Sequence, residues 1–368
     1  MDPDVATPNP EFWEGKRVLL TGHTGFKGSW LGLWLQGLGA KVTGLALGPP
    51  SRPSLFEEAS VAKGMTSLLG DVRNLETVRG AFDRADPEIV IHLAAQALVH
   101  PAYADPVLTY GTNVMGTAHV LEAARDRPNL RSVVMITSDK CYRNLERSWG
   151  YSEADELGGR DPYSASKGAA ELVIRSYAAS WFTADNPTAV ASARAGNVIG
   201  GGDWAADRLV PDIMRAIAAG EPVKIRSPHA LRPWQHVLEP LSGYLMLAER
   251  LWHDPARASG SWNVGPDVNQ IRPVQGLVEH LTASWGEGAT WVLDGDDFPH
   301  EDTTLKLDCA KIKSELGWNP ALELDDALDW IVEWYKAHRD GDSLRDLTLT
   351  QIKRYAALRS AVSASKVA

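Results

Sequence analysis

The sequence predicts an α/β protein built on a doubly wound parallel sheet, followed by a smaller C-terminal lobe. Three observations support this fold class. Short apolar runs alternate with helix-like stretches over roughly the first 195 residues, most of the runs are apolar at nearly every position, and a glycine-rich turn joins the first run to the first helix. Strands that are apolar on both faces are typical of a parallel sheet that helices cover on both sides.

Six apolar runs predict the strands of this sheet. In chain order they are Arg17–Thr21, Lys41–Leu45, Thr66–Leu69, Glu88–His92, Ser132–Thr137 and Ala189–Ala193. A helix with one apolar face is predicted after the first strand, because apolar residues recur at helical spacing at Trp30, Leu31, Trp34, Leu35 and Leu38. Beyond the sixth strand the sequence is rich in Gly and Pro, and shorter helices are predicted at Leu209–Ala219 and Asp325–His338.

This change of pattern predicts two lobes. We expect a dinucleotide-binding domain over residues 12–196, to which a segment near 233–265 returns, and a substrate-binding lobe formed by 197–232 and 266–350. The Pro- and Asp-rich residues 1–10 and the small residues 358–368 are expected to be frayed tails.

Composition excludes several classes of protein. The chain has 368 residues, 47 acidic against 37 Lys and Arg side chains and a net charge of −10, so it lacks the basic surface that nucleic acids require. Two cysteines, Cys141 and Cys309, are too few for a disulfide framework or a cysteine-based zinc site, and no His/Cys/carboxylate cluster has metal-ligand spacing. With no membrane span and no signal peptide evident, we expect a cytoplasmic protein that binds no metal, membrane or nucleic acid.

The turn after the first strand predicts a dinucleotide site. Gly22, Gly25 and Gly28 allow a tight turn and close approach of the backbone, and the helix that follows offers free N–H groups to a pyrophosphate. No acidic residue follows the second strand to bind the ribose hydroxyls of the cofactor. Arg52 in this loop either contacts a 2′-phosphate or is a solvated loop arginine. The second interpretation favours NAD over NADP. Asp71 either contacts the adenine amino group or caps a helix.

Tyr163 and Lys167 predict proton-transfer chemistry. They are four residues apart on a helix that begins near Pro162, and a lysine ammonium favours the phenolate that a tyrosine base requires. Each unit by which the tyrosine pKa falls corresponds to about 1.4 kcal/mol. Ser138 ends a preceding strand, at the edge where open α/β sheets place their ligands.

The glycine loop combined with the Ser/Tyr/Lys set resembles the extended short-chain dehydrogenase/reductase family, from about Gly15 to about Tyr335. The resemblance implies a Rossmann-type fold and bound NAD. Within the family, five segments resemble the branch of nucleotide-sugar dehydratases that acts on CDP-D-glucose: TGHTGFKGSW (21–30), SDKCY (138–142), PYSASK (162–167), GNVIGGGDW (196–204) and LRPWQHV (231–237). The resemblance then implies loss of water from the sugar, with internal hydride transfer.

The resemblance also implies roles for individual residues. Tyr163, helped by Ser138 and Lys167, removes the hydroxyl proton at sugar carbon 4; Asp139 is the acid for the leaving hydroxyl at carbon 6, and Lys140 is the base at carbon 5. The expected cofactor site comprises Gly22, Gly25, Phe26, Lys27, Gly28, Asp71, Val72, Leu93, Ala94, Ala95, Tyr163 and Lys167. The expected substrate site comprises Gln96, Asn197, Arg208, Arg232 and His300.

Two further questions stay open at this stage. The alternatives in function are a dehydratase or 4-epimerase of a UDP- or dTDP-sugar, and a non-catalytic NAD-binding regulator, although the latter would need none of Tyr163, Lys167 or Asp139. Relatives pair through two helices per subunit, here Pro106–Arg125 and Pro162–Trp181, so a homodimer or homotetramer is expected.

Overall fold

The computed structural model describes residues 7–183, 186–267, 270–294 and 305–367 of the chain. Its strands are β1 (Arg17–Thr21), β2 (Lys41–Ala46), β3 (Thr66–Leu69), β4 (Ile89–His92), β5 (Ser132–Ile136), β6 (Ala189–Arg194), β7 (Val198–Ile199), β8 (Val223–Ile225), β9 (Leu231–Pro233), β10 (Gln235–His236), β11 (Gly260–Asn263), β12 (Ile271–Pro273) and β13 (Trp291–Leu293). All six strands predicted from the sequence are present, with ends that shift by one residue at most.

The helices lie between these strands. They are α1 (Pro10–Trp13), α2 (Phe26–Gly37), α3 (Leu55–Glu58), α4 (Leu75–Ala85), α5 (Val99–Ala104), α6 (Pro106–Tyr110), α7 (Gly116–Ala124), α8 (Pro162–Ser180), α9 (Leu209–Ala218), α10 (Leu238–His253), α11 (Pro255–Ala258), α12 (Val274–Trp285), α13 (Ala310–Leu316), α14 (Leu324–Asp340) and α15 (Leu344–Val367). A π-helical turn, Gly111–Met115, joins α6 to α7, and a short 3-10 turn, Asp139–Cys141, follows β5.

A seven-stranded parallel sheet forms the centre of the molecule, in the order β11-β6-β5-β4-β1-β2-β3. The order reverses between β1 and β4, which is the topological switch point at which such sheets bind their ligands. The seventh strand, Gly260–Asn263, pairs with β6 and comes from the segment expected to return to the first domain. The doubly wound fold predicted from the sequence is therefore confirmed.

Side chains alternate across this sheet into two separate apolar cores. In β1, Val18 and Leu20 face one core, which extends under α2, α10 and α14, whereas Leu19 faces the other, beneath α4, α7 and α8. Because both faces are covered, the inner strands are buried along almost their whole length, and this explains why they read as continuous apolar runs.

The second lobe follows β6 and contains three short strand pairs, β10 with β7, β12 with β9, and β13 with β8. α9, α12 and α14 pack around these pairs. β7 follows the carboxyl end of β6 directly and pairs with β10, so the lobe begins at the carboxyl edge of the central sheet.

The two ends of the described chain are anchored. The backbone N–H of Asn9 and the indole Nε1 of Trp13 both donate to Glu249, at 2.8 and 2.5 Å. The expectation of a frayed tail at 358–368 was wrong for residues 358–367, because they form the last turns of α15. Arg359 is only 2% exposed and donates to the carbonyl of Asn319, so a polar residue among small ones fixes the helix in place.

Candidate active site

The glycine loop between β1 and α2 is shaped by its backbone. Gly22 has φ +76, and an added Cβ would lie 2.7 Å from the backbone nitrogen of Ala94, so the loop passes directly against the residues that follow β4. An added Cβ at Gly28 would lie 2.1 Å from the carbonyl oxygen of Gly22. Gly25 caps α2 without any side-chain hydrogen bond, which leaves the first N–H groups of the helix available to an anion.

Two side chains of the loop have different roles. His23 is fully buried, and burial lowers its pKa to about 4, so it is neutral at pH 7 and supplies no charge to a phosphate. Its ring hydrogen-bonds Ser67 at 2.7 Å and covers Gly44, where an added Cβ would lie 2.4 Å from the ring. His23 therefore braces the loop against β2 and β3.

Lys27, in the first turn of α2, lies among other cations. Burial, together with the positive charges of Arg208 and Lys167, lowers the pKa of Lys27 to about 7, while the carboxylates of Asp139 and Asp203 oppose this shift. From the sequence, Lys27 is expected only beside the cofactor. Its neighbours place it also beside the catalytic side chains and the second lobe.

The far end of the expected cofactor site has a carboxylate that is already paired. Asp71 accepts hydrogen bonds from Arg73 Nε at 2.8 Å and Nη2 at 2.5 Å, and these bonds hold the pKa of Asp71 below its usual value. Val72 is buried next to it. Arg52 is 88% exposed on its side chain and lies 4.0 Å from Glu57, which fits a solvated loop arginine.

The turn after β5 holds the first part of the expected catalytic set. Ser138 and Asp139 are each 5% exposed, and the Ser138 hydroxyl donates to Asp139 Oδ1 at 2.9 Å. Ser138 also accepts the backbone N–H of Lys140 at 3.2 Å, which closes the 3-10 turn. Lys140, the last catalytic candidate of this turn, is half-buried.

α8 supplies the second part of the set. Asp161 caps this helix by accepting the N–H of Ser164 at 2.9 Å, and Pro162 occupies its first turn. Tyr163 and Lys167 follow one turn apart, 9% and 5% exposed. The packing of α8 against the turn after β5 brings Tyr163 within hydrogen-bonding reach of Ser138.

The electrostatics of this pair depend on burial. Burial raises the pKa of Tyr163 to about 12, opposed by its hydrogen bond with Ser138 and by the charge of Arg208. Burial also lowers the pKa of Lys167 to about 8, so this side chain is mostly an ammonium at pH 7. A further positive charge next to Tyr163 would favour the phenolate that a base requires.

The expected substrate residues are placed unequally. Arg208 Nη1 donates to the buried Asp203 at 3.0 Å and acts electrostatically on Tyr163 and Lys27, so it lies in the same cluster. Asn197 follows β6 in a left-handed conformation, with φ +51. Arg232 lies in β9 at the entrance of the second lobe. His300 lies outside the described residues.

Gln96 holds the loop after β4 together. Its amide nitrogen donates to the Leu98 carbonyl at 2.9 Å and to Thr109 at 3.0 Å, and its amide oxygen accepts the N–H of Leu98 at 2.6 Å. Both amide hydrogens of Gln96 are used in these bonds, whereas its amide oxygen keeps a second lone pair for a substrate hydroxyl. The three residues before Gln96 are half-buried and follow β4 beside the glycine loop: Leu93, Ala94 and Ala95. Phe26 packs near Gly200.

Sequence reasoning missed two members of this cluster. Asp203 positions Arg208, and Tyr244 on α10 is buried beside Asp139 and Tyr163. The spacing of Asp203 five residues before Arg208 was a usable signal for the first. Nothing local in the sequence distinguishes Tyr244, because α10 reaches the site only through its packing on β5 and β6.

The described part of the chain holds neither a metal cluster nor a membrane-spanning helix. Among residues 7–183, 186–267, 270–294 and 305–367, no three His, Cys, Asp or Glu side chains group as a metal site would require. Over the same ranges, no helix combines the length and the apolar character needed to cross a membrane.

Comparison with known proteins gives a consistent result. Residues 19–330 match the family described as GDP-mannose 4,6 dehydratase. The chain is 50% identical over 348 residues to CDP-glucose 4,6-dehydratase of Salmonella typhimurium, an alignment that covers 94% of this chain and 97% of that protein.

Two solved structures share the fold. One is MoeE5 in complex with UDP-glucuronic acid and NAD, with a TM-score of 0.72, 25% identity, and coverage of 87% of this chain and 99% of that one. The other is DesIV, a dTDP-glucose 4,6-dehydratase from Streptomyces venezuelae with NAD bound, with a TM-score of 0.74, 24% identity, and coverage of 89% and 98%.

Proposed function

The chain belongs to the GDP-mannose 4,6 dehydratase family, and we propose that it converts CDP-D-glucose to CDP-4-dehydro-6-deoxy-D-glucose and water. The observation that carries this proposal is the meeting of Ser138, Asp139 and Lys140 with Tyr163 and Lys167 beside the glycine loop. A dehydratase needs a base for a hydroxyl, a base for a carbon-bound proton and an acid for the leaving group, and this cluster holds one candidate for each.

The glycine loop fits NAD. The Cβ-free surface of Gly22 and Gly28 and the uncapped start of α2 form a cradle that a dinucleotide pyrophosphate requires. Arg52 is exposed and lies beside Glu57, as a solvated loop arginine does, which favours NAD over NADP. When bound, NAD supplies the acceptor for a hydride and later its source. We assign this role to the lobe formed by residues 12–196, and substrate binding to 197–232 and 266–350.

Tyr163 begins the proposed reaction. Its phenol oxygen takes the hydroxyl proton at sugar carbon 4, which gives a ketone there as the carbon-bound hydrogen leaves as hydride. Ser138 lies within hydrogen-bonding reach of the same oxygen, and the Lys167 ammonium one helical turn away favours the ionised phenol. Burial raises the pKa of Tyr163 to about 12 although Ser138 and the charge of Arg208 lower it, so a further positive charge beside the phenol, which the oxidised nicotinamide would supply when bound, would favour this step.

Asp139 and Lys140 complete the proposed reaction. The ketone at carbon 4 acidifies the hydrogen on carbon 5, which Lys140 removes as a base, while Asp139 donates a proton to the hydroxyl that leaves carbon 6. Return of the hydride to carbon 6 would be accompanied by return of the proton from Lys140 to carbon 5, and the proton taken up by Tyr163 would replace the one that Asp139 donated. Because Lys140 is half-buried, we expect bound substrate to cover its amine.

The acidic chain holds an anionic substrate with a few placed cations. Lys27 and Arg208 lie together on the catalytic side of the opening between the lobes, and Arg208 is prepositioned by Asp203. A guanidinium presents a planar fork of donors that suits a diphosphate. We propose Arg208, Arg232 and Asn197 as diphosphate contacts, with Gln96 toward the sugar and His300 toward the nucleotide.

We also propose that the enzyme is a cytoplasmic homodimer or homotetramer. Large apolar side chains are exposed on the two stretches expected to pair, at Val107, Tyr110, Met115, Leu172 and Trp181. Val107 is 81% exposed and Leu172 58%, which is unusual for residues on ordered helices. Sedimentation of the purified protein tests this assembly.

The function is tested by incubating the purified enzyme with CDP-glucose, UDP-glucose and dTDP-glucose in parallel. The 4-keto-6-deoxy product is followed by its absorbance in base. We expect product from CDP-glucose at a rate that exceeds the other two by a large factor. Product from UDP- or dTDP-glucose alone would overturn the substrate assignment, and no product from any of them would overturn the proposed reaction.

A further inference from the structure

A buried ion pair that the proposed reaction does not use lies directly behind the catalytic residues. Glu171 and Arg194 have fully buried side chains, and Arg194 Nη2 donates to Glu171 Oε2 at 2.6 Å. Burial opposes ionisation of Glu171, but its hydrogen bond with Arg194 and the charge of that residue hold its pKa below the usual value. Taking two charges out of water is costly, so a buried pair of this kind calls for an explanation.

Glu171 joins three elements of the first domain. It lies on α8, one helical turn beyond Lys167. Its Oε1 accepts the hydroxyl of Thr137 at 2.5 Å, and its Oε2 accepts the hydroxyl of Ser192 on β6 at 2.9 Å. Thr137 immediately precedes Ser138, so the carboxylate ties the helix of Tyr163 and Lys167 to the start of the catalytic turn.

Arg194 holds the other side of the same turn. Its Nη1 donates to the Tyr142 hydroxyl at 2.7 Å, and that hydroxyl donates to Asn263 Oδ1 at 2.7 Å. Tyr142 is 1% exposed and lies two residues beyond Lys140. The catalytic turn is therefore held at both ends, at Thr137 by Glu171 and at Tyr142 by Arg194.

We propose that Glu171 and Arg194 are positioning residues for the dehydration, holding the turn Ser138–Lys140 in register with Tyr163 and Lys167 on α8. This inference rests on the proposed function of the site. The two halves of the catalytic set come from different elements, the turn after β5 and the first turns of α8, and their relative placement must be accurate for proton transfer. A displacement of about 1 Å of a reacting group can lower a rate by about a hundredfold.

The geometry also separates positioning from simple core stability. Thr137 and Ser192 each give one hydroxyl hydrogen bond to the same carboxylate, and both are buried. Only Thr137 adjoins a catalytic residue, since Ser192 lies within β6 with Ala191 and Ala193 on either side. Removal of either hydroxyl should cost similar stability, whereas only one removal should disturb the turn.

The test compares Thr137→Val, Thr137→Ser and Ser192→Ala by turnover of CDP-glucose and by thermal unfolding. We expect Thr137→Val to lower kcat by about tenfold or more, with KM changed less than about twofold, because contacts to the substrate are retained. Thr137→Ser restores the hydroxyl and should restore kcat. Ser192→Ala should lower Tm about as much as Thr137→Val but keep kcat close to that of the unchanged enzyme.

Equal kcat values for Thr137→Val and Ser192→Ala at equal loss of Tm would overturn the inference. If the unchanged enzyme acts on none of the three nucleotide sugars, the proposed function fails instead, and crystal structures of the same variants decide the positioning role. Displacement of Ser138 and Asp139 relative to Tyr163 in Thr137→Val, and not in Ser192→Ala, would support it. An unmoved turn in both variants would refute it.

Discussion

Replacement of Gly25 by alanine separates binding of the cofactor from stability of the fold. Gly25 has φ −80 and ψ 171, which any residue adopts, and an added Cβ would lie 3.4 Å from its nearest neighbour, an ordinary contact. We therefore expect Gly25→Ala to fold with unchanged stability. The same methyl group would stand where the pyrophosphate approaches the loop, so NAD affinity should fall about tenfold or more, which is about 1.4 kcal/mol.

Two other glycines provide matched comparisons. Gly37→Ala, at the other end of α2, adds a methyl group with nothing within 4 Å and should keep both stability and NAD affinity. Gly28→Ala places its Cβ 2.1 Å from the carbonyl oxygen of Gly22, so the backbone must move, at a cost of about 1–3 kcal/mol or more in stability.

Thermal unfolding with and without NAD, together with calorimetric titration, measures both properties. A ligand at a hundred times its Kd stabilises a protein by about 2.7 kcal/mol, so a tenfold weaker complex loses about half of that stabilisation. Wild-type NAD affinity in Gly25→Ala would refute the assignment of this loop to the pyrophosphate.

Three further substitutions test separate parts of the account. Lys140→Met should keep NAD binding and lose most of the dehydration activity. Lys353→Met, an exposed control on α15, should keep full turnover. Near-normal turnover of Lys140→Met would refute the assignment of Lys140 as the base. Asp139→Asn should still show NADH absorbance after mixing with substrate. If no NADH absorbance appears, Asp139 is needed before the elimination. Burial raises the pKa of Glu249 to about 8 from about 4.5, so its contribution to stability is full at low pH and is lost as pH rises through this range, by about 1.4 kcal/mol per unit. Glu249→Gln keeps a hydrogen-bond acceptor for Trp13 but has no proton to lose. The Tm of this variant relative to the unchanged enzyme should therefore rise between pH 5 and pH 8. A difference in Tm that does not depend on pH would contradict the raised pKa of Glu249.

The sheet and the catalytic residues could be predicted because their signals are local. A strand buried on both faces must be apolar along its length, as Val133 and Val134 show in β5, and a pyrophosphate cradle must place glycines at the start of a helix. Tyr163 and Lys167 are one helical turn apart, so their proximity follows from the period of the helix. These constraints act over a few residues and are visible in the sequence.

The remaining features depend on contacts between distant parts of the chain. The last helix packs through Tyr355 and Arg359 against Glu239, more than a hundred residues earlier, and its own sequence of small residues resembles a tail. Lys27 was assigned to the cofactor alone because only the second lobe brings Arg208 beside it. The link from Glu171 to Arg194 and Tyr142 likewise joins residues that nothing in the sequence relates.

The measurement that tests the proposed reaction most directly is the fate of deuterium from CDP-glucose labelled at carbon 4. The hydrogen that leaves carbon 4 must return to carbon 6 of the sugar if Tyr163, Lys140 and Asp139 act as proposed. We expect mass spectrometry and NMR to find one deuterium at carbon 6 of the product, with none lost to solvent. A product without deuterium at carbon 6, or no product at all, would contradict an internal transfer at this site.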